Sequence, residues 1–151
     1  MPPTRTSRAS SFPLKAEAQE VESVLASNRE FYRAFRERDL EAMERLWADN
    51  TPVACIHPGW DALTSRSDII DSWRGILANR QSPKIRCRDE AVLFVGETAM
   101  VLCHEIIGDQ ALVATNVLVK QDASWRLVHH QATPLAASTS PPADEPPVTV
   151  H

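Results

Sequence analysis

A small set of residues in this 151-residue chain could move or hold protons: His57, His104, Asn116 and one of the adjacent pair His129-His130. A neutral imidazole accepts a proton near pH 7, and a carboxamide donates a hydrogen bond to a developing oxyanion. The chemistry such a set performs is proton abstraction from a carbon next to a carbonyl, with His57 as base and Asn116 and His104 holding the oxyanion. The run His57-Pro58-Gly59-Trp60 lies between Trp47 and Trp73, so three of the four tryptophans gather around one histidine. Indole is large and carries an N–H that needs a partner when buried. Trp47, Trp60 and Trp73 therefore read as the wall of a pocket for a hydrophobic small molecule.

Those residues must be positioned by a specific order of elements. From Glu17 to Arg38 the apolar residues Val21, Val24, Leu25, Phe31, Tyr32 and Phe35 recur at helical spacing. Asp39 is placed to cap a short second helix whose buried side is Leu40, Met43, Leu46 and Trp47. Val53 to His57 reads as a strand ended by Pro58-Gly59. Ser65-Arg66-Ser67-Asp68 resembles a capping box opening a third helix through Ile69, Trp73 and Ile76. After Pro83 the period changes to two. Ile85–Val95, Ala99–Ile107, Ala111–Lys120 and Trp125–Thr133 are β-rich runs. Short turns at Gly96-Glu97, Gly108-Asp109 and Gln121-Asp122 separate them, which predicts an antiparallel meander. Helices first and then a sheet is an α+β order.

Alternation places Asn116 on a face with Leu112, Ala114 and Leu118. His104 shares a face with Met100 and Leu102, and His129 and His130 split across the two faces of their strand. Parity alone leaves open which face is inward. If the Asn116 face is concave, His104, Leu102 and one of His129 or His130 are expected to look into the same cavity as His57.

Bulk properties narrow the alternatives. The net charge of −4 argues against nucleic-acid and anionic-membrane partners, which favour a basic face. No apolar run reaches the length of a membrane span, and no apolar stretch follows Arg5 and Arg8 to make a secretory signal. Cys55, Cys87 and Cys103 are odd in number and far apart, which fits a reduced cytoplasmic setting. With only four glycines there is no nucleotide-binding loop, and no G-x-S-x-G is present. His57, His104 and His130 could offer three nitrogens to a metal, but their spacing fits no local zinc pattern. Neither a metal nor a cofactor is expected. Residues 1–15 and 136–151, rich in Pro, Ser and Thr, read as flexible tails around one domain, 16–135.

Several segments together resemble the SnoaL-like branch of the nuclear transport factor 2 (NTF2)-like superfamily, which includes ketosteroid isomerase and polyketide cyclases. They are Phe31-Tyr32-Arg33-Ala34-Phe35, Asp39-Leu40-Glu41-Ala42-Met43, Leu46-Trp47-Ala48-Asp49, Cys55-Ile56-His57-Pro58-Gly59-Trp60 and Asp68-Ile69-Ile70-Asp71-Ser72-Trp73. The resemblance implies a cone, with three N-terminal helices packed on a strongly curved, mostly antiparallel sheet, and homodimers through the outer sheet face. It implies cofactor-free chemistry of the isomerase or cyclase kind. The isomerase places its base near His57 and its oxyanion acid at Asn116, and the same placement turns His104 and His130 inward. Its catalytic tyrosine falls at Phe31, which lacks a hydroxyl, while Tyr32 lies about 100° around the helix; both Phe31 and Tyr32 are expected among the ligand contacts, with Leu102 and His130. Steroid isomerisation itself is therefore not expected. The alternative is a non-catalytic dimeric module for ligand binding or accessory functions.

Overall fold

A computed structural model describes residues 12–136, with side chains from residue 17 onward. The outer parts of both sequence-read tails, 1–11 and 137–151, lie outside the described residues. Three helices, α1 (Phe12–Glu37), α2 (Leu40–Leu46) and α3 (Arg66–Ala78), precede the meander, with the short β1 (Ala54–Ile56) between α2 and α3. The meander is β2 (Arg86–Val95), β3 (Thr98–Ile107), β4 (Gln110–Gln121) and β5 (Ser124–Pro134). The α1 helix starts inside the stretch read as an N-terminal tail. Pro13 sits in its first turn, where a missing N–H costs no intrahelical bond.

The helix ends follow from single residues. The Asp39 carboxylate accepts from Ala42 N at 3.0 Å and starts α2. The Ser65 hydroxyl accepts from Asp68 N at 3.2 Å and starts α3. Each satisfies a donor that the first turn of a helix leaves open. Along α1, Val24, Asn28, Phe31 and Tyr32 are all buried. They follow the i, i+4, i+7, i+8 stripe of a core-facing helix.

The sheet order is β1-β5-β4-β3-β2, with β1 parallel to β5 and every other pair antiparallel. Gly96 and Gly108 open their turns at φ near +58°, a region open to glycine at little cost. The last turn is Asp122-Ala123, one residue later than expected, because Gln121 pairs with Ser124. Both turn residues take positive φ, 50° and 65°, as a tight hairpin of this twist requires.

Register decides which side chains face the helices. Ile107 opposes Gln110, so Val101 opposes Asn116 and Cys103 opposes Ala114. The inner row of β3 is therefore Val101, Cys103 and Glu105, all buried. Two β-bulges then shift the phase. On β2, Asp89 and Glu90 together span the space opposite Cys103. On β5, Val128 is extra between the partners of Val117 and Leu118. A bulge bends its strand and re-aims the side chains after it. The first turns Glu90 toward α1. The second brings His130 onto the same inner face as Leu127, although simple alternation separates them.

Candidate functional site

Between the helices and the sheet lies a polar cluster walled by aromatic rings. Its centre is Asn116 of β4, which is fully buried. The Asn116 amide donates to Asn28 Oδ1 at 2.8 Å and to the Tyr32 hydroxyl at 3.1 Å. Its carbonyl oxygen lies 2.6 Å from His130 Nδ1. The Tyr32 hydroxyl donates to Glu105 Oε2 at 2.7 Å and lies 3.3 Å from Cys103 Sγ. His130 Nε2 sits 4.0 Å from the same Glu105 oxygen. Asn28, Tyr32, Glu105, Asn116 and His130 thus form one connected group with almost no exposure. Fully paired polar groups are the only kind an interior tolerates without a large penalty.

His57 stands next to this group, at the end of β1. Its Nε2 is 2.9 Å from Ser72 Oγ. The Ser72 hydroxyl uses its one hydrogen on Ile69 O at 2.6 Å, so it accepts from His57. His57 therefore carries its hydrogen on Nε2 and leaves Nδ1 as a lone pair. Trp73 of α3 packs edge-on against His57 at 4.9 Å, against Phe31 at 5.4 Å and against Phe35 at 5.3 Å. His130 lies tilted 6.1 Å from the same indole. Among the described residues, the Trp73 and Trp47 indole N–H groups are buried without a partner.

Burial sets the protonation. It lowers the His57 pKa to about 4. It lowers that of His130 to about 3, with the neighbouring His57 and His129 adding to the effect. Both imidazoles are neutral at pH 7. Burial pushes the Glu105 carboxyl above its ordinary value, against the pull of the Tyr32 hydrogen bond. It also raises Tyr32, helped by the Glu105 charge. The Cys55 thiol is pushed up to about 12 by burial, so it holds no thiolate to act as a nucleophile.

Several expectations need correction. His104 and Leu102 do not face the cluster. With Val101 opposite Asn116, they oppose Val113 and Thr115 on the outer face. His104 instead pairs with Asp89 at 3.0 Å and is half exposed. Tyr32, expected among the ligand contacts but not at the catalytic tyrosine position, supplies the phenol of the cluster, because Phe31 and Tyr32 are both buried on a broad inward face of α1. Trp47 is buried at the C-terminal end of α2 and bridges to Leu127. Among the described residues no ring contact joins it to His57. Trp60 does touch His57, at 4.9 Å, but is 49% exposed and forms a rim. His130 is the inward member of its pair, and His129 pairs in register with Ala54.

Sequence reasoning missed Asn28, Glu90 and Glu105. Asn28 was detectable as a polar residue inside an apolar helical stripe. Glu105 was detectable by carrying the pairing back from the Gly108-Asp109 turn. Two surface clefts, of about 570 and 600 Å³, are lined by other residues, Arg66 and Arg126 in one and Phe94 and Lys120 in the other. The interior next to His57 is occupied by Phe31, Trp73 and the two imidazoles. Among the described residues no group of three His, Cys, Asp or Glu side chains gathers in a geometry that could hold a metal. No helix there is long and apolar enough to cross a membrane.

Comparison with known proteins gives the context. The family model of the SnoaL-like domain matches residues 24–137. A structure from Streptomyces avermitilis, of the NTF2-like family and with dehydratase in its name, is 33% identical. It covers 80% of this chain and 99% of its own, with a TM-score of 0.73. A Thiobacillus denitrificans structure is named for the calcium/calmodulin-dependent protein kinase type II association domain. It is 30% identical over 74% of this chain and 94% of its own, with a TM-score of 0.62. The F-box protein SKIP8 of Arabidopsis thaliana is 25% identical over 74% of this chain. The match spans 49% of that protein's length, so the chain corresponds to about half of that relative.

Proposed function

Because this chain belongs to the SnoaL-like family of the NTF2-like superfamily, we propose that it is a cofactor-free acid/base enzyme acting next to a carbonyl on a hydrophobic small molecule. The observation that carries this reading is the company Glu105 keeps. A carboxyl raised by burial shares one aromatic-walled interior with two imidazoles held neutral. Pairs of titratable groups whose surroundings push them apart mark acid and base roles. His57 Nδ1 takes the proton from the carbon next to the carbonyl. Glu105, whose carboxyl burial pushes upward, acts as the acid at the oxygen that leaves or is enolised. The unpaired Trp73 N–H offers a further donor to a substrate oxygen. The name of the Streptomyces avermitilis relative favours elimination of water among such reactions. Trp60, at the rim above His57, swings aside to admit substrate. The three free thiols fit a reducing, cytoplasmic setting.

The test is a panel of β-hydroxy ketones and unsaturated ketones, followed by the ultraviolet absorbance of the conjugated product. With a turned-over substrate, His57→Ala and Glu105→Gln are each expected to lower kcat/KM by about 10²- to 10⁴-fold while melting cooperatively. Wild-type rates in both variants would remove the assignment.

A second reading, a non-catalytic dimeric module, has its own support. The outer face of the meander carries Leu93, Met100, Leu102, Val113 and Val117 with no helix of the described residues over them, and Leu93 and Val113 are 48% and 38% exposed. A contiguous apolar patch of this kind marks an interaction surface. A second copy of this chain is the occupant proposed, as in an isologous two-fold dimer. Light scattering is expected to give a dimer for the wild type and a monomer for Val113→Glu. A monomeric wild type at micromolar concentration would rule the dimer out.

A further inference from the structure

His130 Nε2 lies 4.0 Å from a Glu105 oxygen, and an imidazole can accept a proton on that side only if the nitrogen facing the acid is bare. The hydrogen bonds behind His130 decide this, and they run in one direction. Glu90 is 13% exposed and ion-paired with Arg29 at 3.1 Å. A carboxylate oxygen only accepts, so the group that Asn28 turns toward it is its NH₂, at 2.8 Å. That leaves Asn28 Oδ1 facing Asn116, which must in turn present its own NH₂, at 2.8 Å. The Asn116 carbonyl oxygen then faces His130 Nδ1 at 2.6 Å, which must carry the hydrogen. The remaining nitrogen, Nε2, is a lone pair on the Glu105 side.

We propose that Glu90 is a positioning residue: through Asn28 and Asn116 it locks His130 in the tautomer protonated on Nδ1, with the Tyr32 hydroxyl, whose hydrogen goes to Glu105, as a second acceptor for the same Asn116 amide. His130 Nε2 is thereby a second proton acceptor in the interior, beside Glu105. A second feature supports the assignment. Glu90 sits in the bulge at Asp89-Glu90, on the inward face of β2 that it shares with Val92. Asp89 takes φ of 57° there, a left-handed conformation uncommon outside glycine and asparagine. Bulges of this kind are over-represented beside active sites, where they re-aim a side chain. The tautomer assignment stands on the geometry of the chain of amides. Only the use made of Nε2 rests on the acid/base reading.

Long-range ¹H–¹⁵N correlation of the histidine rings tests it in the full-length protein without any substrate. Wild type is expected to show His130 with a pyrrole-type Nδ1 and a pyridine-type Nε2. In a Tyr32→Phe background, used for each variant, Glu90→Leu removes the last acceptor that orients the chain, frees both amides to flip and is expected to lose the single-tautomer pattern. Glu90→Gln, which still offers a carbonyl oxygen, is expected to keep it. The double variant Asn28→Asp with Glu90→Leu places an acceptor-only group beside Asn116 and is expected to restore it. Protonated Nε2 in the wild type, or an unchanged single tautomer in folded Glu90→Leu with Tyr32→Phe, would overturn the proposal. The wild-type spectrum alone decides the tautomer should a variant fail to fold. Failure of the catalytic reading would appear instead as absent turnover with the tautomer pattern intact.

Discussion

Asn116→Leu is expected to destabilise the fold by about 3–5 kcal/mol, although leucine matches asparagine closely in size and the site is fully buried. The cost comes from what is left behind. His130 Nδ1–H loses its acceptor and Asn28 Oδ1 loses its donor, both in an interior with no substitute. A stranded buried polar group costs roughly 1–3 kcal/mol, more than the hydrogen bond it formerly made is worth. For a domain of this size the melting temperature should fall by about 10–20 °C. Removing both ends of one link is gentler per site. Asn28→Leu combined with Asn116→Leu is therefore expected to cost less than the sum of the two single changes, a coupling that a double-mutant cycle reads directly. A neutral Asn116→Leu would mean that the cluster is hydrated and the amide is not buried as described.

Mild acid is expected to weaken the protein well above the pH where carboxylates titrate. An unfolded imidazole takes its proton near pH 6.5, whereas His57 in the fold does so near 4 and His130 near 3. Between those limits the unfolded chain binds more protons than the native one, so stability falls as pH falls. The slope is about 1.4 kcal/mol per pH unit for each imidazole. Glu105 acts in the opposite sense. Its raised pKa gives stability that is full below its ordinary 4.5 and lost as pH rises through its folded value, so it offsets part of one histidine on the way down. Urea midpoints measured from pH 7.5 to 4.5 should therefore drop steadily, and His57→Gln should flatten the decline by about half. Midpoints independent of pH across that range would show that the imidazoles titrate freely.

The elements of this fold were legible because their signals are local. Asp39 and Ser65 announced two helix starts by residue type, and the helical stripe of α1 and the period-two runs were visible without any contact information. The inward set was legible only in part. Asn116 was found because an amide among valines and leucines is anomalous. His104 was misplaced because parity along one strand says nothing about the next. The pairing across the Gly108-Asp109 turn carries that information, and it puts Glu105 where His104 was expected. Tyr32 is expected to touch a ligand but not to supply the phenol, because it lies about 100° from Phe31, yet the stripe of α1 is broad enough to bury both. Glu90 is legible only by counting back from Val92, because the bulge at Asp89-Glu90 breaks the period counted forward from Cys87.

The same irregularity separates the upkeep of the scaffold from the tuning of its interior. Removing Asp89 would leave Glu90 opposite Cys103, on the inward face it shares with Val92, while His104 on the outer face would lose its ion partner. Two acidic neighbours in the chain thus serve opposite sides of the sheet, one the surface and the other the interior.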